Sequence, residues 1–116
     1  MSDHSAELLQ GTLEMLVLKA LSLEPMHGWG IGHRLEQWSG EVFRVGQGSL
    51  YPALQRMIRK GWIRSTWRVS DNNRRARYYE LTRAGTRQLE TETAGWERST
   101  AAVDGILRLQ SAQGNP

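Results

Sequence analysis

The chain has 116 residues, 39% of them hydrophobic, enough for one small domain, or one small domain with an appended helix. It holds no cysteine, which excludes disulfides, iron–sulfur clusters and zinc–thiolate sites. A net charge of +3 hides a lopsided distribution: residues 44–87 carry ten arginines and Lys60 against Asp71 and Glu80 alone, between two acidic ends, and point to a polyanionic partner, the plain alternative being a solvated basic face.

Residues 1–7 are polar and expected to fray. The pattern from Leu8 to Leu23 predicts a helix that is apolar almost all round, with Leu9, Leu13, Leu16 and Ala20 as one stripe. A helix greasy on several sides needs a large domain around it or a second subunit against it, and the chain is too short for the first. Its longest apolar run, Met15 to Leu18, is far too short to cross a bilayer. No signal-peptide pattern and no disulfide framework lead to an expectation of a cytoplasmic protein without membrane contact.

Glu24-Pro25 ends this helix, because a residue before proline disfavours the helical region. A second helix is expected from about Gly28 to Ser39, burying Trp29, Ile31, Leu35 and Trp38. A third opens near Gln47-Gly48-Ser49, with Pro52 placed in its first turn and Leu50, Leu54, Met57 and Ile58 facing inward. Gly61 suits a left-handed C-cap. Ile63–Val69 alternates as a strand, Ser70-Asp71-Asn72-Asn73 supplies turn chemistry, and 77–81 forms a second strand with Arg77, Tyr79 and Leu81 on one face. Thr82 caps a last helix of about Arg83 to Leu109, roughly 40 Å long at 1.5 Å per residue. The order α-α-α-β-β-α reads as a winged helix-turn-helix, mainly α within the α+β class, with a two-stranded wing. The expected divisions are a DNA-binding domain over 1–82, a dimerisation helix over 83–110 and a disordered tail over 111–116.

Residues left on the outer side of the third helix are candidates for DNA contact: Gln47, Ser49, Tyr51, Pro52, Gln55, Arg56 and Arg59, with Lys60 beyond. Glutamine pairs with adenine edges and arginine with guanine edges in the major groove, and a helix N-terminus offers backbone N–H groups to phosphate. The turn adds Arg74, Arg75 and Arg77, a cluster that repels itself until a nucleic-acid backbone neutralises it; Arg77 alternatively packs at the strand start. In the last helix Leu89, Trp96 and Val103 recur every seven residues, with Leu107 continuing the seam, while Gly95 and Gly105 each cost about 1 kcal/mol relative to alanine. Such a helix is expected to need a second subunit, and Leu9, Leu13, Leu16, Leu89, Trp96, Val103 and Leu107 are the expected dimer contacts. Gly28-Trp29-Gly30-Ile31-Gly32 lacks the strand that a dinucleotide loop requires, and His4, His27 and His33 lack metal-ligand spacing. No nucleophile motif is present, so neither an enzyme nor a cofactor or metal is expected. A protein-interaction module without DNA reading is the alternative.

Four motifs carry a family resemblance: Leu8-Leu9-Gln10-Gly11-Thr12-Leu13-Glu14, Met26-His27-Gly28-Trp29, Gly48-Ser49-Leu50-Tyr51-Pro52-Ala53-Leu54, and the run from Asn73 to Thr82. Together they resemble the PadR family of bacterial transcriptional regulators, in its smaller subgroup with one C-terminal helix. The resemblance implies a homodimeric winged-helix repressor of double-stranded DNA, its last helix packed near the partner's first. It implies a phosphate contact for Tyr51. It also implies release by a small aromatic effector in some members, with Trp96 standing where a drug-stacking tryptophan would be; filling of the heptad seam is the structural alternative for that residue.

Overall fold

The computed structural model describes residues 9–69 and 71–111. The expected frayed start at 1–7, Leu8, the turn residue Ser70, and the expected tail beyond Ser111 lie outside the described residues. Seven elements follow in order: α1 (Gln10–Leu23), β1 (Met26–His27), α2 (Gly28–Trp38), α3 (Gln47–Arg59), β2 (Ile63–Val69), β3 (Arg75–Leu81) and α4 (Arg83–Leu107). The three strands form one antiparallel sheet in the order β1-β3-β2. The β2–β3 hairpin is the expected two-stranded wing, and β1 adds a short third strand to its sheet. Met26 and His27 pair with Tyr79 and Tyr78, a two-residue bridge too short to leave a periodic signal.

The core lies where α1, α2 and α3 meet the sheet. Val17, Leu18, Ile31, Leu50, Met57 and Ile63 are sealed from solvent there, with Tyr79 covering them from β3. Leu50, Ala53, Leu54 and Met57 make the inward stripe of α3, and Ile58 is half-buried at its edge. Leu13 belongs to this core and is not available to a second subunit. The expected burial of both tryptophans of α2 is corrected. Trp29 is 65% exposed, because it sits two residues from Ile31, some 200° around the helix, and Trp38 is also exposed at the last turn.

Local chemistry sets the junctions. His27 Nδ1 accepts the Gly30 N–H at 3.0 Å and so caps α2. Gly32 lets α2 approach the Val45 carbonyl oxygen closely, where a Cβ would stand only 3.1 Å away. Pro52 lies in the second turn of α3, not the first, so the i+4 N–H that would bond the Gly48 carbonyl is missing, on an exposed part of the helix. Gly61 takes φ +78° and ends α3 as a left-handed cap. β3 starts at Arg75, two residues earlier than the alternation suggested, which shortens the turn; Asn73 supplies its positive φ of 61°. Thr82 Oγ1 accepts the Gly85 N–H at 3.0 Å, and its own N–H donates to the Trp62 carbonyl. This fastens the root of α4 to the turn that closes α3. Beyond that root the helix has little to pack on. Trp96, Val103, Ile106 and Leu107 are half or more exposed.

Candidate nucleic-acid interface

The N-termini of α2 and α3 open on the same side of the molecule. Facing them is the tip of the β2–β3 hairpin. Between them runs a cleft of about 580 Å³, lined by Gly28, Trp29 and Gln47 on the helix side and by Asp71, Asn72, Arg74, Arg75 and Arg77 on the hairpin side, three guanidinium groups against one carboxylate. The arginine-bearing hairpin and the opening of α3 thus share one surface. Two helix N-termini with their partial positive charge, plus a row of guanidinium groups, make that surface attractive to a polyanion.

The strand register explains how the arginines are sorted. Trp67 pairs with Arg77 and Val69 with Arg75, so these four side chains share the face that runs out past the helices. The guanidinium carbons of Arg75 and Arg77 lie 4.8 and 5.1 Å from the Trp67 ring centroid, an indole platform that holds two like charges in place. On the opposite face Glu80 takes up two others. Arg64 Nε donates to its Oε2 at 2.7 Å, and Arg68 Nη2 lies 3.5 Å from its Oε1. The hydrogen bond from Arg64 holds the Glu80 carboxyl below the usual carboxylate range, with both guanidinium charges adding to the effect. Part of the basic middle third is therefore neutralised internally, and the part facing the cleft is not offset by Glu80.

Along α3, Gln47, Ser49, Tyr51, Pro52, Arg59 and Lys60 are exposed. Two expected reading residues are placed differently. Arg56 points to α1, where its Nε donates to Glu14 Oε2 at 2.8 Å; Lys60 Nζ stands 3.7 Å from the other oxygen. Glu14 is only 5% exposed, so its charge demands a partner, and Arg56 is drawn inward to supply it. Gln55 is half-buried, with its amide nitrogen covered and without a partner among the described residues. Sequence reasoning missed Glu14 because a lone acid in an apolar helix reads as a solvent-facing position. It missed Trp29 because a tryptophan reads as core. The distance from Trp29 to the buried Ile31 along the helical wheel was the available signal.

The expected dimer contacts divide in the same way. Leu9, Trp96, Val103 and Leu107 are exposed, while Leu16 and Leu89 are half-buried against the core. Between α1 and α4 lies a second cleft of about 520 Å³, lined by Leu9, Thr12, Met15, Glu92, Trp96 and Arg98 among others. Among the described residues no helix is long and apolar enough to cross a membrane, and no three His, Asp or Glu side chains converge to hold a metal.

Residues 17–91 match the model of the transcriptional regulator PadR-like family. A PadR-like transcriptional regulator from Bacillus cereus strain ATCC 14579 superposes with a TM-score of 0.77 at 29% identity, over 88% of this chain and 97% of that one. A PadR family transcriptional regulator from Eggerthella lenta DSM 2243 gives 0.75 at 29% identity, over 87% and 86%. In sequence, a 37.1 kDa protein in transposon TN4556 of Streptomyces fradiae is 40% identical over 90 residues, which is 78% of this chain and 24% of that much longer protein.

Proposed function

This chain belongs to the PadR-like family of transcriptional regulators, a DNA-binding winged-helix family, and from that premise we propose that it acts as a homodimeric repressor on an inverted-repeat operator. The observation that carries the DNA reading is the shared cleft: Gln47 at the opening of α3 faces Arg74, Arg75 and Arg77 across one groove-sized opening. α3 enters the major groove with Gln47, Ser49, Tyr51 and Arg59. The hairpin arginines meet the phosphates or the minor groove alongside.

The dimer rests on a different argument. A helix of 25 residues that leaves Trp96, Val103, Ile106 and Leu107 in water has no intrachain source of stability in its outer half. A second copy packed along α4 and against Leu9 of α1 supplies it. Two-fold symmetry then sets two α3 helices on two half-sites. The cleft between α1 and α4 is the place for a flat aromatic effector, with Trp96 as its stacking surface. An effector there changes the angle between subunits and so the half-site spacing.

Selection of bound sequences from a random duplex pool tests the proposal. A recovered palindrome with half-sites about one helical turn apart is the expected result. Recovery of an unsymmetrical site, or sedimentation as a monomer on that site, refutes the dimeric reading. No enrichment at all refutes sequence-specific recognition.

A further inference from the structure

Trp29 is the large aromatic side chain at the cleft that stands in water, since Tyr79, the other large ring on its wall, is buried. It stands 65% exposed on the first turn of α2, lining the cleft beside Gln47 and opposite Arg74, Arg75 and Arg77. The same residue and His33 also flank Gly46 and Gln47 on the other side of the α3 N-terminus. Its indole is not loose. It stacks on the His33 ring at 4.7 Å between centroids and 10° between planes, one turn along the same helix. Gly28 and Gly30 on either side leave the backbone around it bare, and a Cβ on Gly30 would press on the His27 ring that caps the helix. The result is a rigid apolar ring presented at the opening of a positively charged cleft.

We infer that Trp29 is a further DNA-contacting residue, which packs its indole against apolar carbon surface of the duplex at the edge of the groove that α3 enters. This rests on the DNA reading above. The occupant follows from the surroundings: the arginines across the cleft select a polyanion, and an ordered ring set among them meets whatever carbon surface that polyanion brings. In double-stranded DNA that surface is a thymine 5-methyl group or the carbons of a deoxyribose.

Charged and apolar contacts separate by their salt dependence. Losing a phosphate contact flattens the slope of log K against log[salt], whereas losing an apolar contact lowers the line without tilting it. Fluorescence anisotropy of the full chain on its selected duplex, across a salt series, therefore tests the inference. Trp29→Ala is expected to weaken binding about tenfold at every salt concentration, in line with removing a large part of an indole from a water-excluding contact. Trp29→Phe is expected to recover most of the loss, and thermal unfolding of both variants checks that the fold is intact. Duplexes with deoxyuridine replacing thymidine one position at a time then separate the two sources. A position at which the parent loses affinity and Trp29→Ala does not identifies the methyl group; no such position, with the parallel loss retained, identifies deoxyribose. Parent-like binding by Trp29→Ala, or a loss that vanishes at high salt, overturns the inference while leaving the DNA reading intact. Failure of the parent to bind any duplex overturns both.

Discussion

Removing Arg56 is expected to damage this protein more than removing Glu14, although Glu14 is the residue inside. The Glu14 side chain is 6% exposed, against 26% for Arg56 and 47% for Lys60. Arg56→Met strands a carboxylate in the core beside α1, with only Lys60 at 3.7 Å to offset it. Breaking a buried pair in this way costs about 3 kcal/mol or more. Glu14→Leu leaves a guanidinium that already reaches water and can turn further outward, so its cost is about 2 kcal/mol. The double variant removes both charges and fills the space with carbon, and lies within about 1 kcal/mol of the parent. The double variant should therefore fall short of the sum of its singles by about 4 kcal/mol. Urea unfolding reads this directly, at one fixed protein concentration so that any self-association enters every variant equally. Additive effects within about 0.5 kcal/mol, or a larger cost for Glu14→Leu than for Arg56→Met, would refute the assignment of Arg56 to the core.

The same ion pair bears on DNA binding: Arg59→Ala is expected to flatten the salt slope by about one, and Arg56→Ala to leave it unchanged, as measured by anisotropy titrations on one duplex. Gly85→Ala places a Cβ against the Trp62 carbonyl oxygen and close to Leu81, and is expected to lower stability by about 3 kcal/mol. Gly105→Ala meets nothing within 4 Å and lies off the apolar seam of α4, so it should raise stability by up to about 1 kcal/mol in the same urea assay. Because its folded pKa is depressed, Glu80 contributes stability that is present above the ordinary carboxylate range and is lost as pH falls through its lower folded value. Glu80→Gln should therefore flatten the acid side of a plot of melting temperature against pH, and an unchanged acid limb would exclude that contribution.

The elements with a clean period were legible. β2 alternates over its whole length, and α3 shows Leu50, Leu54 and Met57 on one side of the wheel with a glycine at the end. The parts that were not legible are those settled between elements. β1 exists only because β3 offers Tyr78 and Tyr79 an edge to pair, and two residues carry no period of their own. Arg56 is polar and at the margin of the inward stripe, and only the proximity of α1 across 42 positions of sequence decides that it turns in. Trp29 and Trp38 were both expected in the core; Ile31, Gly32 and Leu35 fill the buried face of α2, and both rings are left exposed. Candidate residues stand exposed where exposure follows from the wheel, and turn inward where a buried partner competes with solvent, as Arg56 does.

Two clamps tie α3 to the rest of the molecule, and on the proposed dimeric reading they would relate subunit geometry to DNA recognition. Glu14 clamps α1 to α3 through Arg56. Thr82, bonded to Gly61 and Trp62, clamps the root of α4 to the cap of α3, and Gly85 allows that root to sit against the Trp62 carbonyl. The cleft between α1 and α4 lies between these two clamps, with Thr12 and Met15 of its wall on either side of Glu14 in sequence. On the proposed effector reading, a wedge that spreads α1 from α4 pulls on both clamps. The displacement is expected to pass to the orientation of α3 or to the far end of α4, where Ile106 and Leu107 are exposed. Loosening one clamp is expected to separate the two routes: with Glu14→Leu, occupancy of the cleft should change DNA affinity less than in the parent, because α1 can then yield without carrying α3.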